Sequence, residues 1–212
     1  MIDPWSKETY ERWKGFLVPF ETKRRQPDEQ PISLGAANAL IRAMVSQNII
    51  EKARFVKLLL TDCDGVLTDG GVYYSPAGEL LKRFSIRDGM GVERLRTLAG
   101  VETGIVSGEN STPLKRRAEK LGIEECHLGV SNKAETLRSI VAKRGLGRDK
   151  LAYIGDDVND LEVFALVGLS ACPSDAFDEV KGRADIICRN KGGYGAFREF
   201  AEIIILAQTG NP

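Results

Sequence analysis

The chain has 212 residues, of which 42% are hydrophobic and 28% charged, a composition typical of a globular protein with one main domain. Thirty basic residues balance thirty acidic ones, so the formal net charge of zero gives no overall field that would attract nucleic acid or an anionic membrane. No apolar run could span a bilayer, and the N-terminus does not resemble a secretory signal. Four cysteines without a Cys-x-x-Cys pair, together with a single His, argue against a zinc site and indicate reduced thiols in a cytoplasmic protein.

Residues 1–54 are predicted to form an extension ahead of a main domain that covers residues 55–212. The segment 1–31 holds four of the eight prolines and a basic cluster at 23–25 without a sustained period, which predicts irregular chain. Four aromatic residues indicate that part of it contacts the main domain or a neighbouring subunit: Trp5, Trp13, Phe16 and Phe20. From Leu34 to Ala53, apolar residues at helical spacing predict an amphipathic helix with Ser33 as its N-cap.

From Phe55 onward, apolar runs alternate with helical patterns. Buried strands are predicted at 56–61, 101–107, 151–155 and 168–171, and shorter strands at 126–129 and 184–188. Helices are predicted near 89–99, 111–121, 132–144, 158–167, 175–181 and 195–208. This alternation predicts an α/β fold in which right-handed βαβ units build a doubly wound, mostly parallel sheet.

Ligands of such sheets bind beyond the carboxyl ends of the strands, where this chain places chemically useful side chains. Asp62-Cys63-Asp64-Gly65 follows the first strand, and Ser107 follows the second. Lys133 opens the helix after the short strand near Cys126, and Gly155-Asp156-Asp157-Val158-Asn159-Asp160 follows the strand at 151–155. The sheet therefore gathers several carboxylates, a hydroxyl and an ammonium group along one edge.

This set of groups suits metal-assisted phosphoryl transfer. Carboxylates at close quarters repel one another, and hard oxygen ligands are those that Mg²⁺ prefers. Aspartate can attack phosphorus and form an aspartyl-phosphate. Because alternate residues of an extended segment lie on the same side, Asp62 and Asp64 can serve as nucleophile and proton donor around one phosphoryl group.

Each feature has a simpler interpretation when it is taken alone. Asp-x-Asp-Gly is often a turn or a helix cap, Ser107-Gly108 a loop, and Lys133 a solvated helix residue. The acids at 156–160 could simply begin a helix. The occurrence of all four features in this order, each at a predicted strand end, favours the catalytic interpretation.

These residues resemble the motifs of the haloacid dehalogenase superfamily over about residues 55–208. The resemblance implies that Asp62 is the nucleophile and that Asp64 first protonates the leaving alkoxide and then activates water. It further implies that Ser107 and Lys133 bind the phosphate. The Mg²⁺ ligands would be Asp62, the backbone carbonyl of Asp64, and Asp156, while Asp157 and Asp160 would lie in or near the shell of groups that orient them.

The spacing between the motifs leaves room for a β-hairpin flap but for no large cap domain, as in the capless branch of the superfamily. Three phrases look like phosphatases of 2-keto-3-deoxy sugar acid phosphates: 67–71, 84–91 and 192–199. Those enzymes are tetramers in which a neighbour's flap and glycine-rich tail help to close an open site. The resemblance therefore implies a phosphorylated sugar acid as the substrate and a homotetramer in which a neighbouring subunit completes the site.

Two substrate classes stay open. Arg87-Asp88-Gly89 is similar to 3-deoxy-manno-octulosonate 8-phosphate phosphatases, which usually carry Gly-Arg where this chain has Gly108-Glu109. Glu109 with Arg117 and Lys120 is similar instead to nine-carbon 2-keto-3-deoxynononate 9-phosphate phosphatases. Arg117 and Lys120 could meet a substrate carboxylate, pair with Glu109, or form a solvated ion-pair cluster. Lys82 and Arg87 are further candidates for substrate contacts.

Two functions from other classes compete with the phosphatase. The segment 198–202 also resembles the C-terminal domain of animal sialic-acid cytidylyltransferases, a non-catalytic oligomerising domain that has lost key residues, whereas this chain keeps Asp62, Asp64, Lys133 and Asp156. A two-component receiver domain also pairs a phosphorylatable Asp with Mg²⁺ and a Lys. Receivers, however, use an acidic pair at the first strand and phosphorylate an Asp after a later one, which does not fit this arrangement.

Overall fold

The computed structural model of the protein describes residues 46–210. The predicted extension up to residue 45 therefore lies outside the described residues, including Ser33, the four aromatic residues, the basic cluster and most of the predicted helix 34–53. The described part of that helix, Gln47–Ala53, is capped by Ser46, whose side chain accepts a hydrogen bond from Ile49 N.

Eight strands form a large sheet and a separate hairpin. In chain order the strands are β1 Leu58–Thr61, β2 Thr68–Ser75, β3 Gly78–Phe84, β4 Glu102–Val106, β5 Glu125–His127, β6 Leu151–Ile154, β7 Leu169–Cys172 and β8 Ile186–Ile187. The six-stranded sheet has the order β5-β4-β1-β6-β7-β8, and all its neighbours run parallel. The remaining strands, β2 and β3, pair antiparallel as the predicted flap (Thr68–Phe84).

Helices follow most strands of the sheet. They are α1 Gln47–Ala53, α2 Ile86–Arg94, α3 Thr112–Leu121, α4 Lys133–Arg144, α5 Leu161–Phe164, α6 Asp178–Lys181 and α7 Ala196–Thr209, with a π-helical turn at Leu95–Ala99 and 3₁₀ turns at Arg148–Lys150 and Val158–Asp160. Within residues 46–210, none of these helices combines the length and apolarity that a membrane crossing requires.

The central strand β1 is apolar and is buried on both faces of the sheet. Leu58 and Leu60 of β1 join a cluster with α4, α5 and α6, whereas Leu59 joins a larger cluster with α1, α2, α3 and α7. Strands covered on both faces are typical of parallel sheets whose crossovers are helices. The predicted doubly wound α/β fold is confirmed, and no large cap domain is inserted within the described residues.

The register of the three central strands decides where the site forms. Leu58 pairs with both Glu102 and Leu151, and Thr61 pairs with Ile105 and Ile154. The carboxyl ends of β1, β4 and β6 therefore lie side by side at one edge of the sheet. The segments after these strands carry Asp62, Ser107 and Asp156.

Candidate active site

The loop after β1 holds Asp62 in a fixed orientation. Its backbone N–H continues the sheet by donating to Ile154 O at 3.0 Å, and its Oδ1 accepts a hydrogen bond from Cys63 N at 2.7 Å. The chain then turns sharply, with Gly65 at φ +80°. Cys63 itself is fully buried in the larger core cluster, so its thiol faces the core beneath the site.

Lys133 connects the nucleophile candidate to the acidic loop after β6. It is the first residue of α4, which Asn132 caps by accepting a hydrogen bond from Glu135 N. Its Nζ lies 2.9 Å from Asp62 Oδ2 and 2.7 Å from Asp160 Oδ1. Burial alone lowers the pKa of Lys133, but the two carboxylates outweigh it and raise that pKa, so the ammonium stays charged.

Asp160 is fully buried and uses both carboxylate oxygens within the protein. Oδ1 accepts from Lys133 and, at 2.6 Å, from the Tyr153 hydroxyl, while Oδ2 accepts from the backbone N–H groups of Asp156 at 3.0 Å and Asp157 at 3.3 Å. Asp157 in turn caps the short helical turn that ends at Asp160. Asp160 therefore fixes the loop that presents Asp156.

Asp156 shows the features of a metal ligand. Its Oδ1 is buried without a hydrogen-bond partner, and Asp62, Asp156 and Asp160 each offer an oxygen within 4.8 Å of the others. Burial and the charges of Asp62 and Asp160 raise the pKa of Asp156 to about 8, and burial followed by the charge of Asp160 also raises the pKa of Asp62. An all-oxygen, carboxylate-rich set with an orphaned oxygen fits a hard divalent cation such as Mg²⁺.

Asp64 points toward the flap. Lys82 Nζ on β3 donates to both of its oxygens, at 2.7 and 2.6 Å, and the Thr68 hydroxyl donates to Oδ1 at 3.3 Å. Lys82 also lies 3.3 Å from Glu79 Oε2. Burial lowers the pKa of Lys82, but its contacts with Asp64 outweigh this effect and raise it. Lys82, predicted as a substrate contact, is therefore bound to the proton-donor candidate.

Ser107 lies at the end of β4, as predicted, and is buried. Its backbone N–H donates to His127 O at 2.9 Å, and its Oγ accepts a hydrogen bond from Glu109 N at 3.2 Å. The Glu109 side chain is exposed. Ser107 thus lies at the edge where Asp62 and Asp156 lie, although no hydrogen bond joins it to either of them within residues 46–210.

Three further residues were predicted to contact the substrate: Arg87, Arg117 and Lys120. Within residues 46–210, none of them forms a hydrogen bond or an ion pair with the carboxylates described above. Arg117 donates to Ser85 O at 2.9 Å and lies above the Phe84 ring, so within the described chain no ion pair joins it to Glu109. Lys120 is exposed on the same helix. Arg87 is exposed and lines a cavity of about 370 Å³ beside α7.

The glycine-rich run at 192–195 lies against the Asp62 loop of its own chain. Gly193 N donates to Val66 O at 2.9 Å, and a Cβ on Gly192 would lie 1.8 Å from Gly65 O. Asp88 anchors this run, because its carboxylate accepts from Gly195 N at 3.1 Å and from a backbone N–H in the first turn of α7. The close approach that glycine permits is thus used within one subunit.

Sequence reasoning missed two residues that shape the site. Tyr153 reads as one more apolar residue of a buried strand, although a hydroxyl in such a strand needs a buried partner. Glu79 lies in the flap, where it accepts a hydrogen bond from Ser111, the N-cap of α3. The flap sequence gives no signal for that contact.

Comparisons with known proteins agree with this geometry. Residues 117–196 match the sequence model of the haloacid dehalogenase-like hydrolase family. A 3-deoxy-D-manno-octulosonate 8-phosphate phosphatase of Escherichia coli K12 is 38% identical over 174 residues, which are 82% of this chain and 92% of the relative.

Solved structures show the same likeness. The cobalt-bound deoxy-D-mannose-octulosonate 8-phosphate phosphatase of Haemophilus influenzae is 39% identical with a TM-score of 0.72, covering 74% of this chain and 91% of that one. The Moraxella catarrhalis 3-deoxy-D-manno-octulosonate 8-phosphate phosphatase, in complex with a magnesium ion, a phosphate ion and the sugar acid, is 34% identical with a TM-score of 0.74, covering 78% and 95%. The chain therefore belongs to the 3-deoxy-D-manno-octulosonate 8-phosphate phosphatase family, capless phosphoric monoester hydrolases with the haloacid dehalogenase fold.

Proposed function

We propose that this chain is a Mg²⁺-dependent phosphatase that hydrolyses 3-deoxy-D-manno-octulosonate 8-phosphate through an aspartyl-phosphate. The observation that carries the proposal is the site itself, where Asp62 is held between Cys63 N and Lys133 beside the orphaned oxygen of Asp156. The family's eight-carbon substrate supports the choice of sugar acid. The nine-carbon 9-phosphate is the second candidate, because Glu109 rather than a basic residue follows Gly108.

In the first half-reaction, a carboxylate oxygen of Asp62 attacks phosphorus in line with the leaving oxygen. The bond from Asp62 to phosphorus forms, the bond to the sugar oxygen breaks, and Asp64 delivers its proton to the departing alkoxide. Lys133, which contacts Asp62, and the Ser107 hydroxyl at the end of β4 donate in this proposal to the equatorial phosphoryl oxygens, which carry the charge of the transition state.

In the second half-reaction, Asp64 is a carboxylate and takes a proton from water. The water oxygen bonds to phosphorus, the bond from Asp62 to phosphorus breaks, and inorganic phosphate leaves with Asp64 protonated for the next cycle. Asp62, Asp156 and the carbonyl of Asp64 would hold Mg²⁺, which would supply positive charge for the phosphoryl oxygens. Asp160 and Asp157 orient the Asp156 loop through the bonds described above.

We further propose a cytoplasmic homotetramer in which a neighbouring subunit covers the open site. Five apolar side chains of the flap are between 40% and 72% exposed: Val72, Tyr73, Tyr74, Leu80 and Leu81. Apolar exposure of this extent on a two-stranded hairpin is typical of an interaction surface. The four cysteines are all unpaired, which suits a reducing compartment. Light scattering on wild type and on Tyr74→Arg tests the assembly, and a monomeric, fully active wild type would contradict it.

The central test is phosphate release by wild type and by Asp62→Asn with Mg²⁺ present. We expect at least about 10⁴-fold loss in the variant, because Asn cannot form the covalent intermediate. Unchanged turnover would refute the proposed nucleophile, and an inactive but folded wild type would favour the non-catalytic oligomerising domain.

The substrate is tested by comparing kcat/KM on the eight-carbon 8-phosphate, the nine-carbon 9-phosphate and a hexose phosphate. We expect the highest value on the eight-carbon compound. A preference for the nine-carbon compound would move the assignment to the second candidate. A preference for the hexose phosphate over both would refute the sugar-acid class.

A further inference from the structure

A partly buried salt bridge connects the flap to the proton-donor candidate. The Lys82 side chain has no exposed surface, and its Nζ lies 2.7 and 2.6 Å from the two oxygens of Asp64. Asp64 keeps 27% of its side-chain surface exposed, so solvent and ligands reach it. The ammonium is therefore enclosed by protein, while part of the Asp64 carboxylate stays exposed to solvent.

Lys82 is held from its other side as well. Glu79 Oε2 lies 3.3 Å from Lys82 Nζ, and Glu79 also accepts a hydrogen bond from Ser111. Ser111 caps α3, the helix that follows the Ser107 loop. The chain of contacts Asp64–Lys82–Glu79–Ser111 thus joins the flap to the loops that carry both the proton donor and the phosphate-binding hydroxyl.

The next residue of the same strand provides a natural comparison. Arg83 contacts Asp69 Oδ2 and Gly193 O, both at 3.2 Å, and its guanidinium lies 4.2 Å from the centre of the Tyr194 ring. Arg83 therefore attaches the flap to the glycine-rich run without touching Asp64. Two basic residues of the flap, Lys82 and Arg83, bond to other parts of the protein. Of these two, only Lys82 contacts the proposed proton donor.

We propose that Lys82 is a positioning residue for proton transfer: it holds the Asp64 carboxyl group toward the site and yields one of its oxygens to the leaving-group oxygen of the bound substrate. This inference rests on the proposed function and replaces direct substrate contact as the role of Lys82. In the step concerned, the proton that Asp64 took from water in the preceding turnover moves to the sugar alkoxide, and Lys82 keeps its own protons throughout. A carboxyl group without this anchor samples other rotamers, so fewer encounters have the proton donor in place.

The test compares two substrates that differ in their need for a proton. A sugar alkoxide is a poor leaving group that requires protonation, whereas p-nitrophenolate leaves without it. We expect Lys82→Met to slow single-turnover release of the sugar by about 10- to 100-fold, a part of what a general acid contributes, and to slow nitrophenolate release less than about threefold. The matched control Arg83→Met is expected to leave the ratio of the two rates unchanged.

A double-mutant cycle with Asp64→Asn identifies the residue through which Lys82 acts. Because the proton donor is already lost in Asp64→Asn, adding Lys82→Met is expected to slow sugar release by less than about twofold. If the fold-losses in sugar release of the two single variants multiply in the double variant, the inference is overturned. A raised KM with unchanged kcat, which marks a substrate contact, or an equal loss on both substrates would also overturn it.

Two further measurements separate this inference from other failures. Thermal unfolding reports whether each variant folds. If Lys82→Met does not fold, Lys82→Arg, which keeps the charge but moves the donors, is expected to shift the same ratio by a smaller factor, and an unshifted ratio counts against the proposal. If Asp62→Asn turns over like wild type, the proposed function fails. If Asp62→Asn is inactive but the effects of Lys82→Met and Asp64→Asn on sugar release are independent of each other, only the proposed role of Lys82 fails.

Discussion

We expect Asp156 to destabilise the metal-free protein, and a single substitution tests this expectation. Its Oδ1 is buried without a partner, and the carboxyl group lies beside Asp62 and Asp160 with Lys133 as the nearby cation. Asp156→Asn removes one negative charge from this cluster and keeps the shape of the side chain. We therefore expect the variant to be more stable than wild type in EDTA at pH 8, although it should be inactive.

The size and sign of this difference in the free energy of unfolding follow from the raised pKa of Asp156. The pKa of Asp156 is raised from 3.8 to about 8, so between these values the folded protein binds a proton that the unfolded chain has lost. Unfolding then releases a proton, and the free energy of unfolding falls as pH rises through this window. At about 1.4 kcal/mol per pKa unit the full effect is about 6 kcal/mol, and water penetration and relaxation reduce it to about 2 to 4 kcal/mol.

Urea unfolding of wild type and Asp156→Asn between pH 4.5 and 8.5 measures this difference. In EDTA, the advantage of the variant is expected to grow from near zero at the lowest pH to about 2 to 4 kcal/mol at the highest. Saturating Mg²⁺ should stabilise wild type and reverse the order. A difference that does not change with pH, or equal stabilisation of both proteins by Mg²⁺, would refute this reasoning.

Three further outcomes are expected. Tyr153→Phe removes a 2.6 Å hydrogen bond to the buried Asp160 and should lower the free energy of unfolding by about 2 kcal/mol with little loss of turnover. Gly65→Ala places a Cβ 2.0 Å from Asp156 Oδ2 at φ +80°, so a Mg²⁺ titration should show weaker binding and turnover should fall about 100-fold. Removing residues 1–53 deletes the buried face of α1 and should cost about 4 kcal/mol relative to removal of residues 1–45, as urea unfolding of the two truncated chains would show.

The candidate catalytic groups could be located from the sequence because parallel strands impose their positions. Apolar runs marked β1, β4 and β6, and the residues after each run had to meet at one edge once the strands paired in register. This rule alone placed Asp62 and Asp156 at the edge, and the helix predicted at 132–144 placed Lys133 at its start. Bonding from Lys133 to both Asp62 and Asp160 then follows from burial, since a buried ammonium requires anionic partners.

The partners of the flap residues could not be predicted in this way. Strand alternation shows that Lys82 and Arg83 lie on opposite faces of β3, but it does not show which face meets the site. That choice depends on how the hairpin folds back over the Asp62 loop. Arg117 illustrates the same limit. Its sequence position left a substrate carboxylate, Glu109 or a solvated ion-pair cluster open as its surroundings, and in the structure its side chain donates to the backbone of Ser85.

The domain boundary expected after residue 54 stays a prediction, but the structure adds a physical constraint on it. Ile49, Ile50 and Ala53 are buried in the larger core cluster, and Gln208 at the end of α7 donates to the backbone oxygens of Ala53 and Val56. A chain lacking α1 would expose apolar surface on α7. The helical pattern read from residues 34–53 therefore belongs, in its last two turns, to the core of the phosphatase domain.

The three clustered carboxylates, Asp62, Asp156 and Asp160, differ in how readily each can bind a metal ion. Asp160 already accepts from Lys133, Tyr153 and two backbone N–H groups, so using it as a ligand would break bonds that cannot be replaced in a dry interior. Asp156 Oδ1 accepts no hydrogen bond, so binding a metal ion there would break none. In the proposed reaction, Asp62 must keep one oxygen available for phosphorus. We therefore expect Asp160 to supply negative charge and orientation and Asp156 to supply the ligand atom. The net excess of buried negative charge, unfavourable alone, is what gives a cation its affinity for this edge of the sheet.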